Sequence, residues 1–166
     1  MGVATVAVER TYPNVAILTS YYKGEKFLLK FLENVANQDM FPNCELVIDL
    51  NDPTDNELMI LKNFELEHPG AVNMSINRTV VPMSVSLNNC IVRSKAEFAC
   101  IWNIDDRRTN NSISSQYEII KGSKNINAVY GPFITTSDYD SQNGKYIDNS
   151  KIPNLEFTRS MLMGPF

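Results

Sequence analysis

Two adjacent carboxylates, Asp105 and Asp106, stand two residues after an amide, Asn103, at the end of the apolar run Phe98-Ala99-Cys100-Ile101-Trp102. Hard divalent cations take oxygen ligands, so acids placed this way suit a metal that carries a phosphate. The run itself is short and unbroken, which reads as a strand buried on both faces, as in a parallel sheet. In open α/β sheets, ligands bind beyond the carboxyl ends of the strands. The competing reading is that Asp105 and Asp106 merely cap a turn or the next helix.

Other chemistries find little support. The chain has seven glycines, and no two are separated by a single residue, which excludes the G-x-G-x-x-G dinucleotide fingerprint. Neither a P-loop motif nor G-x-S-x-G is present. Phosphate binding must then run through a metal or helix N-termini. The one histidine, His68, precedes Pro69 at an expected helix end and reads as a C-terminal cation rather than a catalytic base. Cys44, Cys90 and Cys100 lack metal-ligand spacing and read as reduced structural thiols, which places the chain in the cytoplasm. A formal net charge of -4 gives no electrostatic footprint for nucleic acid. No stretch is long and apolar enough to span a membrane, and no signal-peptide core opens the chain.

The elements that must position the acids follow from periodicity. Val15-Ala16-Ile17-Leu18 predicts a buried strand ending in Thr19-Ser20-Tyr21-Tyr22. Phe27, Leu28, Phe31, Leu32, Val35 and Ala36 paint one face of a helix over 25–38. Glu45 to Leu50 is a second strand, and Thr54 or Asp55 caps a helix that Pro69-Gly70 ends. Val72 to Ile76 is a third strand. A helix from Ser84 or Ser86 should turn Val85, Ile91 and Val92 inward, and the strand to Trp102 comes next. A helix over 112–121 and a fifth strand over 128–136 complete the pattern, with Asn143-Gly144 as a hairpin turn. Strands alternating with helices predict an α/β fold with a mostly parallel central sheet. Ile17, Val47 and Ile101 are expected on neighbouring buried strands. Residues 1–13 read as an N-terminal extension and 14–166 as one domain.

From Asn14 onward the chain resembles the family 2 glycosyltransferases. The stretches that carry the resemblance are Thr19-Ser20-Tyr21-Tyr22, Leu50-Asn51-Asp52-Pro53-Thr54-Asp55, Ser84-Val85-Ser86-Leu87-Asn88-Asn89-Cys90 and Ala96 to Asp106. They correspond in order to the family's Pro-Thr-Tyr-Asn, Asp-Asp-Gly-Ser-Thr-Asp, Ser-Ala-Ala-Arg-Asn-x-Gly and Gly-Glu-Tyr-Ile-x-Phe-Leu-Asp-x-Asp-Asp. The resemblance implies a GT-A, Rossmann-like three-layer sandwich and a nucleotide-sugar donor, a UDP-sugar, held with Mn²⁺ or Mg²⁺. It implies that Thr19 and Tyr21 line the base pocket, Tyr21 through its ring face. It also implies that Asn51 bonds the base edge, that Asn88 lies toward the diphosphate, and that Asn103 faces the ribose or a metal water. Asp105 becomes the metal ligand of an Asp-x-Asp-like motif. The chain departs from the family where Asn103 and Asn51 replace acids and Leu87 replaces an arginine. No catalytic base is assigned: Asp138, Asp140 and Asp148 match no family motif. The apolar end at Met161 to Phe166 suggests a domain cut before its acceptor half, leaving a nucleotide-binding module without transfer activity as the alternative function. A nucleotidyltransferase fits less well, because Thr19 to Gly24 holds a single glycine. The acceptor, whether glycan, lipid or protein, is not legible.

Overall fold

A computed structural model describes residues 13–141 and 143–148, so the expected extension, Pro13 apart, lies outside the described residues. The chain divides into two compact units at Ser114/Ser115. The first unit carries a four-stranded sheet in the order β3-β2-β1-β4, with every pair parallel. Its strands are β1 (Val15–Tyr21), β2 (Cys44–Asn51), β3 (Val72–Asn77) and β4 (Phe98–Ile101). They are joined by α1 (Glu25–Ala36), α2 (Asp55–Glu67) and α3 (Met83–Arg93). A parallel sheet needs crossover connections, and helices serve that purpose here. The expected α/β fold is therefore present.

Local chemistry sets the element ends. Thr54 caps α2 in a capping box: its Oγ1 accepts from the Glu57 N–H at 3.2 Å, and Glu57 Oε2 accepts from the Thr54 N–H at 2.7 Å. Gly70, at φ 71°, turns the chain out of α2 toward β3. His68 closes α2 with its N–H on the Phe64 carbonyl, and its ring packs against Phe41 and Phe64. That is a packing role for the only histidine.

The two faces of the sheet differ. One face sets Ile17, Leu46, Ile48 and Leu50 with Leu28, Phe31, Leu32 and Val35 of α1 and Leu61 and Phe64 of α2, all of them buried. Each such side chain contributes about 1.5–3 kcal/mol by leaving water. The face under α3 has a small apolar cluster of Ala16, Leu18, Val47 and Cys90, flanked by Leu87 and Ala96. Beyond that cluster it turns polar.

That polarity corrects the expected inner face of α3. Val85, Ile91 and Val92 are exposed, whereas Ser86 and Cys90 are buried. Ser86, Asn89, Cys90 and Arg93 share one face by their 3–4–7 spacing. A polar helix face meets a polar sheet face, which hydrophobic periodicity does not reveal.

The strand to Trp102 needs a correction too. β4 pairs only with β1 among the described residues. Phe98 and Cys100 are half-buried, and Ala99 and Ile101 are exposed. Ile17 and Val47 sit on adjacent buried strands as expected, but Ile101 is 54% exposed. Edge position, not composition, decides that burial.

The second unit, described by itself, contains β5 (Phe133–Thr135) and β6 (Lys145–Ile147), an antiparallel pair. The expected fifth strand thus forms over three residues only and outside the parallel sheet. Asn143-Gly144 does not make a two-residue turn; Gly144 passes so close to the Thr135 carbonyl that a Cβ would lie 2.2 Å from it. The helix α4 (Ser112–Lys121) matches the expected span. Among the described residues no helix is long and apolar enough to cross a membrane.

Candidate functional site

Because the four strands are parallel, Tyr21, Asn51, Asn77 and Ile101 end at one edge of the sheet. The chain leaves β4 there through Trp102 and a turn over Asn103-Ile104-Asp105-Asp106. The Asp106 N–H donates to the Asn103 carbonyl at 3.1 Å, closing the turn. Asn103 Nδ2 donates to Asp106 Oδ2 at 3.0 Å, and both Asp105 and Asp106 stand exposed. Partial desolvation by the turn and then the Asp105 charge push the Asp106 carboxyl up, against the Asn103 hydrogen bond and Arg108.

This turn has a firm floor. Trp102 is buried edge-on against Phe31, with ring centroids 5.6 Å apart, and its Nε1 donates to the Asp106 carbonyl at 3.1 Å. Ile104 is buried beneath Gly24, where a Cβ would stand only 3.0 Å from Ile104 Cγ2. The absence of a side chain at Gly24 lets the start of α1 sit on the turn. The Arg108 guanidinium lies 5.2 Å from the Trp102 ring centroid, and its Nη2 donates to the Ile101 carbonyl at 3.0 Å. Asn34 of α1 exchanges two hydrogen bonds with the Arg108 backbone, at 2.8 and 2.9 Å, and Gln38 Nε2 donates to the Thr109 carbonyl at 3.0 Å. Asn34 and Gln38 were not legible as anchors, since polar residues on an amphipathic helix read as a solvated face.

The other expected site residues occupy different places. Thr19 is buried, with its Oγ1 donating to the Trp102 carbonyl at 2.9 Å, one residue from Asn103. Tyr21 is buried and its hydroxyl donates to Glu57. Burial first, and then Glu57, hold that phenol far above its ordinary range. No open ring face is therefore presented by Tyr21 in this structure. Asn51 is 2% exposed and lies on the opposite face of the sheet, because Tyr21 pairs in register with Leu50. Asn88 is exposed on α3, whereas its neighbour Asn89 reaches the sheet, donating to Asp49 Oδ2 at 3.4 Å.

Asp49 is the residue missed in the sequence. It is fully buried and accepts hydrogen bonds from Ser75, from Asn77 Nδ2 at 2.8 Å and from Asn89. Burial alone would raise its carboxyl, but Ser75, Ser86, Asn77 and Asn89 together outweigh burial and hold it below its ordinary value. An acid set between Leu46-Val47-Ile48 and Leu50, in the middle of β2, was the available signal. The three thiols are unpaired, and burial raises each, Cys90 to about 11, so none is an activated nucleophile.

Metal chemistry fits only in part through protein ligands. Among the described residues, no three His, Cys, Asp or Glu side chains gather into a metal-holding group. The exposed Asp105, with Asp106 beside it, supplies oxygen donors of the right hardness for Mn²⁺ or Mg²⁺. An ion there needs further oxygens from a ligand and water.

No family model matches the chain. In sequence it is 18% identical over 143 residues to the Bacillus subtilis (strain 168) protein EpsE, which carries the name of a glycosyltransferase. The match covers 86% of this chain and 51% of EpsE. In structure it is similar to S. aureus TarS 1-349 in complex with UDP, with TM-score 0.58 and 20% identity, covering 66% of this chain and 32% of that one. It is also similar to the mannosyltransferase PcManGT of Pyrobaculum calidifontis in complex with GDP-Man and Mn²⁺, with TM-score 0.56 and 18% identity over 63% and 31% of the two chains. The chain has the N-terminal part of the GT-A glycosyltransferase fold. It spans about half the length of EpsE and a third of the two solved chains. Within that GT-A frame, the strand-end edge of β1, β2 and β4 is the side on which an open α/β sheet binds ligands.

Proposed function

We propose that this chain is the donor-binding part of a cytoplasmic glycosyltransferase that uses a nucleoside-diphosphate sugar, a UDP-sugar, with a divalent metal. The observation that carries the reading is the exposed Asp105 on a braced turn at the carboxyl edge of β4, in a fold shared with proteins solved with UDP and with GDP-Man and Mn²⁺. Mn²⁺ or Mg²⁺ at Asp105 would neutralise charge on the departing diphosphate, as a Lewis acid does. The chain's own part is to hold that carboxylate still. Trp102, Ile104, Arg108, Asn34 and Gln38 fix the turn from below and behind, so binding costs little loop ordering. Asn103 keeps its amide oxygen for a ribose hydroxyl or a metal-bound water while its Nδ2 braces Asp106. Thr19 fixes the Trp102 carbonyl one residue before Asn103. The acceptor is a glycan, lipid or protein group supplied from outside the donor site.

Calorimetry with UDP and a UDP-sugar, in the presence of Mn²⁺ and again in EDTA, tests this reading. Binding is expected with Mn²⁺ and a large loss in EDTA. Equal affinity in EDTA would remove Asp105 from any metal role, and no binding to either nucleotide would reject the donor site.

A further inference from the structure

The resemblance hands Asn51 the task of reading the base edge, but its surroundings assign it another. Its Nδ2 donates to the Tyr21 carbonyl at 3.2 Å and lies 3.4 Å from Ser86 Oγ. Its Oδ1 accepts from the Val81 N–H at 3.0 Å and from Asn77 Nδ2 at 3.3 Å. An amide has two donors and an acceptor oxygen with two lone pairs. At Asn51 all four are engaged, and the side chain is 2% exposed. Reading a base would mean breaking bonds already made inside the protein.

What those four bonds join is informative. Tyr21 ends β1, Asn77 ends β3, Val81 lies in the segment leading to α3, and Ser86 lies in the first turn of α3. We propose that Asn51 is a positioning residue that locks these four pieces into one edge of the nucleotide site, and that it must be an amide rather than an acid. This rests on the donor-site reading above.

The chemistry of the neighbours explains the amide. A carboxylate at position 51 could not donate to the Tyr21 carbonyl, and would leave that buried oxygen facing a negative charge. Asp49, two residues earlier on the same face of β2, is already an acid. Asn77 Nδ2 serves both residues, at 2.8 Å from Asp49 Oδ2 and 3.3 Å from Asn51 Oδ1. Two buried like charges sharing one donor are unfavourable. At this end of the strand the acid is Asp49, and Asn51 is the amide that complements it.

The test compares Asn51→Asp, Asn51→Ala and the exchange Asp49→Asn/Asn51→Asp in the full chain. UDP and GDP affinities are measured by calorimetry with Mn²⁺, beside amide exchange at Val81. A positioning role predicts that Asn51→Asp and Asn51→Ala weaken both nucleotides by the same factor, about tenfold if one strong hydrogen bond is the guide. The Val81 amide then exchanges faster in the folded protein. The exchange variant recovers part of the loss, since the charge pair is gone. A base reader predicts a changed ratio of UDP to GDP affinity, and tighter UDP binding by Asn51→Asp would overturn the inference. Nucleotide binding and Val81 exchange that stay at wild-type levels in Asn51→Ala would overturn it as well. Failure of the wild-type chain to bind any nucleotide rejects the donor-site reading instead, while Val81 exchange still reports whether Asn51 holds this edge.

Discussion

The ends of β2 and β4 flank β1 on the same edge of one sheet, yet they are built in opposite ways. At the end of β2, Asp49 and Asn51 are buried, and their side chains hold Ser75, Asn77, Val81, Ser86 and Asn89. At the end of β4, Asp105 is exposed on a turn whose hydrophobic and backbone anchors lie beneath it. The first region spends its polar groups on the protein itself. The second keeps oxygen donors facing water, where a ligand can use them. Residue type alone does not separate the two cases, since both place a carboxylate and an amide two residues apart. Depth in the sheet does, because a central strand needs every polar group paired while an edge strand does not.

The largest effect that can break this contrast is removal of the β4 floor. Trp102→Ala deletes a ring that is 1% exposed and packed on Phe31, and should cost about 3–5 kcal/mol of stability. Denaturant unfolding measures it. Because the same ring fixes the Asp106 carbonyl, the metal-dependent gain from nucleotide should also shrink. A variant that loses stability but keeps that gain would separate the floor from the site.

Asp49→Asn attacks the other region. The new amide can keep its oxygen on Asn77 and Asn89 and turn its Nδ2 to the Ser75 hydroxyl, so what is lost is the charge-assisted part of these bonds, about 1 kcal/mol. The dependence on pH sharpens the point. Asp49 is held below its ordinary carboxyl value of 3.8. Its contribution is therefore complete above that value and is lost as pH falls through the lower folded value. Wild-type stability should drop below about pH 4 more steeply than that of Asp49→Asn. Parallel acid profiles for the two proteins would show that Asp49 is not held as an ion.

Much of this was readable in the chain. Alternation of strand and helix patterns and a cap for α2 at Thr54 or Asp55 come from local periodicity and turn residues; the structure has the alternation and places the cap at Thr54. Two things escaped, for the same reason. Hydrophobic periodicity turned Val85 and Val92 inward, because it cannot see that Asp49 and Asn51 make the opposing sheet face polar. It also buried Ile101, because composition does not say which strand lies at an edge. The site was legible in outline, at the strand ends. The division of labour within it was not, since the engagement of Tyr21 and Asn51 depends on residues 26 or more positions away.

The smallest expected stability effects fall on Asp105 and Asp106, and they carry the finest distinction. Asp105 is exposed, so Asp105→Asn removes little packing. It also relieves the like charge that helps raise the Asp106 carboxyl, so the metal-free melting temperature should hold or rise slightly. Asp106 accepts from Asn103 Nδ2, and its backbone is bonded to both Asn103 and Trp102. Asp106→Asn keeps an oxygen for the Asn103 bond and removes the same like charge, so the metal-free protein should again change by less than about 1 kcal/mol. With Mn²⁺ and UDP added, the two variants part. Asp105→Asn should lose the ligand-induced thermal shift, because the carboxylate proposed to meet the cation is gone, while Asp106→Asn keeps most of it. If Asp105→Asn retains the full shift and Asp106→Asn loses it, the metal contact belongs to Asp106, and the brace to Asn103 must open when ligand binds.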